Sequence, residues 1–398
     1  MKLNIKQNEI NYNLEKEYMK QGNSIPTGSH TKKEIFQQPL SWKGTFQIIK
    51  ENKGRILSFF NKVLSDNLDI ILTGAGSSAF IGEAVQGELL KRKGFLARPV
   101  ATTDMLTHPG LFLSKNKKTL LVSFARSGNS PESIAAIRIV NRYCNDPSHI
   151  IITCNPEGQL YLETENENTL KLLLPPETND ESLAMTSSFT SMMLAYILIT
   201  RIDNIDEEEI KVNELGSWIE TMLVEKESNI ASIASLDFKR VVFLGSGPLQ
   251  GTAHESHLKV QELTDGYVIC KYDTFLGFRH GPKVVINDQT LIVYLFSDDS
   301  LARLYEVDLV QQINRGNKGM AQIAISSKPM EIHDFEPTLE ICYRGNSDIM
   351  DISYLCIAHV VFAQLLGFYK SVALGLDPDS PSVSGTISRV VEGVNIYI

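Results

Sequence analysis

Asp69-Ile-Ile-Leu-Thr-Gly-Ala-Gly-Ser-Ser-Ala-Phe80 and Arg240-Val-Val-Phe-Leu-Gly-Ser-Gly-Pro-Leu-Gln-Gly251 read as two copies of one device. Each is a short apolar, β-branched run, then a Gly-x-Gly turn, then a helix-like segment. A buried strand that ends in glycines and opens a helix brings bare backbone N–H groups and a helix N-terminus to one place, which suits a phosphate. The stretches downstream of the two copies match as well. Strand-like runs at 70–72, 120–124, 150–153 and 170–174 alternate with helical stretches at 82–93 and 132–142. The second series has strands at 241–244, 291–296, 322–325 and 339–342 and helices at 252–263 and 301–314. Apolar helices at 187–200 and 352–368 close the two series. Short apolar strands alternating with amphipathic helices predict an α/β fold of two tandem flavodoxin-like units, each a parallel sheet with helices on both faces. Ligands of such sheets sit beyond the carboxyl ends of the strands, where the glycine turns lie.

The remaining chain divides around these units. Residues 1–30 read as a polar arm and 31–67 as a helical lead-in opened by a capping box, Thr31-Lys-Lys-Glu34, with breaks at Pro39 and Gly44. The units span 68–205 and 235–375, joined by a linker helix in 206–234. Residues 376–398 read as a loop and a strand.

The composition narrows the function. A net charge of -9 disfavours non-specific nucleic-acid binding, which needs a basic face. The five cysteines include no C-x-x-C pair, so reduced thiols in a cytoplasmic protein are expected rather than disulfides or a zinc site. The N-terminus lacks the apolar core of a signal peptide. The apolar stretch 352–369 contains His359 and Gln364 and reads as a buried or interface helix, not a membrane span. No cofactor is implied. Gly74-Ala-Gly-Ser-Ser-Ala79 matches a dinucleotide turn in form, yet no acidic residue ends the next strand to hold a ribose, and Asp104 comes late. His254-Glu-Ser-His257 is not the H-E-x-x-H zinc motif, so no metal is expected.

A second strand end points to a monophosphate. Phe124-Ala-Arg-Ser-Gly-Asn-Ser-Pro-Glu132 offers the Arg126 guanidinium, hydroxyls at Ser127 and Ser130, Asn129, and a helix beginning at Pro131. Gly76, Ser77 and Ser78 would supply the first turn's share, and Thr186 and Ser187 further sugar or phosphate contacts. The second unit has Phe296-Ser-Asp-Asp-Ser300 at the matching place, and two aspartates repel phosphate. Phosphate is therefore expected on the first unit. Glu255, Lys259 and Glu262 have i, i+4, i+7 spacing and share one face of the helix after the second glycine turn. A solvated salt-bridged face has the same pattern, but this helix starts at the ligand edge.

Those stretches, with Glu255-Ser-His-Leu-Lys-Val-Gln-Glu262 and Gly277-Phe-Arg-His-Gly-Pro282, resemble the tandem sugar isomerase (SIS) family, which includes the isomerase half of glucosamine-6-phosphate synthase. The phrases Ala184-Met-Thr-Ser-Ser188, Thr274-Phe-Leu-Gly-Phe-Arg-His-Gly-Pro282 and Ser384-Gly-Thr-Ile-Ser-Arg-Val-Val391 are similar to the AgaS branch, galactosamine-6-phosphate deaminases also called tagatose-6-phosphate ketose/aldose isomerases. The resemblance runs over about 31–398. It implies an amino-sugar phosphate deaminase or isomerase, active on a phosphorylated amino sugar, with neither nucleic acid nor membrane as partner. It implies Glu262 as the base that moves the C1/C2 proton, with Glu255 positioning Lys259 or substrate hydroxyls. It implies His280 as the ring-opening residue, reaching the site from a neighbouring subunit of a homodimer. Where synthase relatives carry an imine-forming lysine, this chain has Arg389, which stays protonated and forms no Schiff base. A simple aldose–ketose isomerase and a phosphosugar sensor are the alternative readings.

Overall fold

The computed structural model describes residues 27–164, 167–343, 349–391 and 393–397. Most of the expected polar arm, residues 1–26, lies outside the described residues. Three helices lead in: α1 (Ser29–Phe36), α2 (Gln38–Glu51) and α3 (Lys53–Val63). Pro39 falls in the first turn of α2, where its missing N–H costs nothing. Gly44 does not break α2. A Cβ there would stand 3.0 Å from Pro175 Cγ, so the helix needs its bare backbone for packing. The expected capping box does not form. Thr31 Oγ1 donates to Pro378 O at 3.0 Å and to Asp379, and Glu34 reaches away from its helix to the loop at 181–182.

The first sheet holds β1 (Leu68–Thr73), β2 (Ala97–Pro99), β3 (Lys118–Ala125), β4 (Asn145–Thr153) and β5 (Thr169–Leu173). The second holds β6 (Arg240–Gly245), β7 (Ile269–Asp273), β8 (Thr290–Leu295), β9 (Ala321–Ser326) and β10 (Leu339–Cys342). Both are parallel and five-stranded, in the orders β2-β1-β3-β4-β5 and β7-β6-β8-β9-β10, so the same permutation recurs. This is the flavodoxin-like order expected from sequence. The edge strands β2 and β7 escape a reading by apolar runs. β2 is Ala-Arg-Pro and β7 is Ile-Cys-Lys-Tyr-Asp, and neither is buried on both faces.

Among helices of eight residues or more, the first unit has α4 (Ser77–Lys93), α5 (Pro131–Tyr143) and α6 (Ser187–Thr200). A single helix of 30 residues, α7 (Ile205–Ala234), joins the units. Asp206, Glu207 and Glu208 lie in its first turn, where negative charge favours a helix. The second unit has α8 (Pro248–Leu263), α9 (Ser300–Asn314) and α10 (Ile352–Ala373). α10 is long and apolar enough to cross a bilayer, with mean hydropathy 1.7, but 89% of that stretch is buried inside the protein. One apolar core runs through both units, from Ile35 and Trp42 through Phe189 and Phe238 to Tyr354 and Phe362.

The described part of 376–398 contains no strand, contrary to expectation. It folds as turns whose side chains serve the opposite end of the chain. Asp377 accepts from Gly28 N at 3.1 Å, and Asp379 accepts from His30 N and Thr31 N at 3.2 and 2.7 Å.

Candidate active site

The site grows from the two glycine turns. Gly76 (φ 55°, ψ −130°) and Gly247 (φ 57°, ψ −127°) adopt the same backbone conformation, one that only glycine enters without strain. The glycines before them are equally constrained. A Cβ on Gly74 would lie 2.5 Å from the Ser78 carbonyl carbon, and one on Gly245 would lie 2.3 Å from Leu249 O. Each helix therefore starts folded back on its own strand end. The two helices then meet. A Cβ on Gly251 of α8 would lie 2.5 Å from Ala84 N of α4, so their backbones touch. That crossing sets Ser77 of the first unit against Glu255 of the second.

Glu255 and Lys259 are almost wholly buried and Glu262 is half-buried. The Lys259 ammonium lies 3.3 Å from Glu255 Oε1 and 2.7 Å from Glu262 Oε2. The spacing thus makes a buried row, not a solvated face. Burial raises the Glu255 pKa to about 7, with Lys259 pulling it down and Glu262 pushing it up. No hydrogen bond of good geometry satisfies either Glu255 oxygen. Burial opposes the charge on Lys259, yet its two carboxylate neighbours outweigh that and lift its pKa above the ordinary value. The row can hold and pass one proton near neutral pH.

The first unit's groups are shared between ligand edge and scaffold. Ser77 and Ser78 sit in the first turn of α4, Ser78 Oγ 3.9 Å from Met185 Sδ. Ser130 caps α5 by accepting from Ser133 N, the structural role the sequence left open beside phosphate binding. Ser127 Oγ accepts from Asn129 N at 3.3 Å, which leaves its proton to donate, and Asn129 Oδ1 accepts from Gln159 N at 3.0 Å. Gly128 has φ 65° and packs against Gly158.

Arg126 differs most from expectation. Its guanidinium is buried and donates to the carbonyls of Ser182 (3.2 Å), Leu183 (3.1 Å) and Arg389 (2.5 Å). It is a main-chain clamp, although its charge lies within electrostatic reach of Glu262 and Lys259. Burial lowers its pKa. Thr186 and Ser187 are fully buried rather than offered to a ligand, and their hydroxyls donate to Asp180. Arg389 joins the same hub, donating to Asp180 O at 2.8 Å and to Asn179 Oδ1 at 3.1 Å. His280 is exposed, in a turn where Gly281 has φ 117°.

Of this hub, Asp180 escaped the sequence reading and Glu34 was read only as part of a capping box. Asp180 also accepts from the backbone N–H groups of Thr186 and Ser188 at 2.8 and 2.9 Å, capping α6 from outside the usual N-cap position. Glu34 accepts from Glu181 N (2.5 Å) and Ser182 N (3.2 Å), and burial with Asp180 close by pushes its pKa up to about 7. Local spacing gives no signal for either, because their partners are distant in sequence or off the helix.

The second unit's matching loop is occupied by the chain itself. Buried Glu306 accepts from Ser297 N at 3.3 and 3.1 Å, Asp298 accepts from the Ser327 hydroxyl at 2.5 Å, and Asp299 caps α9 through Leu301 N and Ala302 N. Carboxylates answer the donors that a phosphate would need. The His254 ring is stacked between Phe80 (3.5 Å between centroids) and Tyr272 (3.8 Å), with Nδ1 2.8 Å from Glu83 Oε2.

A SIS domain model matches residues 63–200. The chain is 38% identical over 374 residues to D-galactosamine-6-phosphate deaminase AgaS of Escherichia coli, covering 93% of this chain and 96% of that one. Among solved structures it superposes on a protein of Clostridium novyi NT provisionally described as a tagatose-6-phosphate ketose/aldose isomerase, with a TM-score of 0.90, 40% identity and coverage of 94% and 96%. It also matches tagatose-6-phosphate ketose/aldose isomerase of Escherichia coli, with a TM-score of 0.85, 35% identity and coverage of 93% and 97%. With two glycine-led units of one topology and relatives of this identity along nearly its whole length, the chain belongs to the SIS family, as an AgaS-type protein.

Proposed function

We propose that this chain is a galactosamine-6-phosphate deaminase, converting the amino sugar phosphate and water to tagatose 6-phosphate and ammonia. The observation that carries the reading is the buried Glu255–Lys259–Glu262 row set against the first turn of α4. Its relative of 38% identity bears that activity in its name. Phosphate rests on the N–H groups and hydroxyls of Ser77, Ser78 and Ser127, with Gly76 allowing close approach and Arg126 adding charge from behind. Ring opening exposes the C1 aldehyde. Glu262 takes the C2 proton and returns it to C1, a proton from the substrate ammonium passes to O1, and the enolamine so formed becomes a C2 iminium. Water adds at C2, the C2–N bond breaks, and the ketone and ammonium are left. Lys259 holds Glu262 in place and offsets charge along the row.

One role needs a second copy. His280 lies on the exposed turn after the short helix Phe275–Phe278, which packs on α9 near the exposed apolar residues Leu276, Val284, Leu301 and Leu304. Such a patch on a globular surface suits association. In a homodimer it would bring His280 to the partner's site for ring opening. Arg389 serves by holding the last loop against Asp180, not as an imine former. A cytoplasmic setting agrees with five free cysteines. Relatives carry both deaminase and isomerase names, so isomerisation without deamination is the second reading. Ammonia measured from purified protein across a panel of hexosamine 6-phosphates decides between them. Release from galactosamine 6-phosphate is expected, and tagatose 6-phosphate made only from the aldose would refute deamination. In Glu262→Gln, turnover should drop by about 10²–10⁴ with phosphosugar affinity kept. Unchanged turnover would remove Glu262 from the chemistry.

A further inference from the structure

The site needs groups from both units, so something must fix one unit against the other. The row's helix α8 lies between α4 and α10. On one side Gly251 touches Ala84 of α4. On the other, Thr252 Oγ1 donates to Cys356 O of α10 at 3.2 Å, and a Cβ on Gly367 would stand 3.2 Å from Lys259 O. The spacing of α4 from α10 therefore sets the place of Glu255, Lys259 and Glu262.

Arg201, after the last turn of α6, joins those two helices directly. It is 2% exposed. Nη2 bonds Glu88 Oε2 of α4 at 2.9 Å and Asp351, the N-cap of α10, at 3.0 Å. Nη1 bonds Glu208 of α7 at 2.9 Å. Tyr354 of α10 packs its ring 5.1 Å from the guanidinium and donates its hydroxyl to Glu208 at 2.6 Å. Ser353 donates to Glu88, Arg92 pairs with Asp351 at 2.9 Å, and Lys211 pairs with Glu208 at 2.6 Å. Three carboxylates and three cations thus meet at one junction of four helices. Burying such charges is a poor route to stability, since apolar groups of equal volume serve as well. A rigid guanidinium fork instead fixes direction.

We propose that Arg201 is a positioning residue, which clamps α4 to α10 and so holds the acid/base row of one unit in register with the phosphate turn of the other. Glu88 lies eleven residues along α4 from Ser77, about 16 Å at helical rise, so Arg201 touches no substrate. This inference rests on the deaminase reading above. Phosphate affinity belongs to the first unit alone, whereas turnover needs both units.

The test is steady-state ammonia release by Asp351→Asn and Arg201→Lys, with competitive inhibition by inorganic phosphate measured alongside. Asparagine keeps the cap of α10 and loses one charged arm. Lysine keeps the charge and loses the fork. We expect kcat to fall about tenfold to a hundredfold, as for small misplacements of reacting groups, with KM and phosphate inhibition within about twofold of wild type. A folded variant with wild-type kcat, or one whose KM and phosphate inhibition worsen in step with kcat, overturns the proposal. If both variants fail to fold, Ser353→Ala, which removes only the hydroxyl bound to Glu88, carries the same expectation and the same refutation. Wild-type protein in the same assay separates the two readings. No ammonia from it refutes the deaminase, while ammonia from it with an unsplit variant refutes the clamp.

Discussion

Replacing Glu255 by glutamine should make the protein more stable and less active, and the stabilisation should depend on pH. Glu255 is fully buried, and its pKa stands at about 7 against 4.5 for the free side chain. Lys259's pull is already counted in that value. A carboxyl that binds its proton more tightly folded than unfolded favours the folded state at low pH. That contribution is complete below about pH 4.5 and drains away as pH rises through about 7. The difference of about 2.5 pKa units corresponds to about 3 kcal/mol between the two limits. Glutamine mimics the protonated form in shape and never ionises. The variant should therefore match wild type near pH 4.5 and exceed it by about 3 kcal/mol at pH 8.5. With about 2.1 cal/mol/K of unfolding entropy per residue, cooperative unfolding of 398 residues turns this into a Tm gap of about 4 °C. Differential scanning calorimetry of both proteins from pH 4.5 to 8.5 reads it directly. The other raised carboxyls occur in both proteins and cancel. Parallel Tm curves, offset equally at every pH, would refute the claim that Glu255 carries a burial-raised pKa.

Three further outcomes are expected from other parts of the fold. Glu306→Gln, in the self-occupied loop of the second unit, should show the same pH-dependent gain in Tm because burial also raises Glu306 to about 7, but ammonia release should survive; lost activity would place that loop in the site. Borohydride added during turnover should trap no adduct on Lys259 or Arg389, since Glu255 and Glu262 keep the lysine protonated and a guanidinium forms no imine; a mass increase on either residue refutes this. Gly251→Ala should lower stability by about 1–3 kcal/mol and turnover more than in proportion, because its methyl would push main chain of α4 away from α8; denaturant unfolding and kinetics at wild-type levels would show that the crossing tolerates a Cβ.

The sequence carried the fold through features that are local. Two Gly-x-Gly turns, β-branched runs and helical spacing reveal the repeat, and the recovered strand order differs only by the edge strands, whose polar residues lack the buried pattern. The Glu255 row was visible for the same reason, since i, i+4, i+7 is a statement about one helix. Its burial was not visible, because that depends on α4 and α10. Arg126 illustrates the limit most clearly. Its place at a strand end marked it as a ligand group, yet its partners lie 56, 57 and 263 residues away. Glu34 fitted a capping motif at short range and answers a loop 147 residues on. Thr186 and Ser187 looked like free hydroxyls at a helix start, but Asp180, outside the N-cap position, took them inside the protein.

The turns at 377–389 also impose an order in time. They supply acceptors to the backbone of α1 and to Arg126, residues synthesised long before. At about 5–20 residues per second, the ribosome takes roughly 13–50 s to go from Arg126 to Arg389, the 263 positions that separate them. Throughout that interval the first unit can pair its strands while one arm of its buried guanidinium still faces water. Synthesis, not the folding of either sheet, then sets the moment at which the strand end that carries Arg126 is closed against the turns at 377–389.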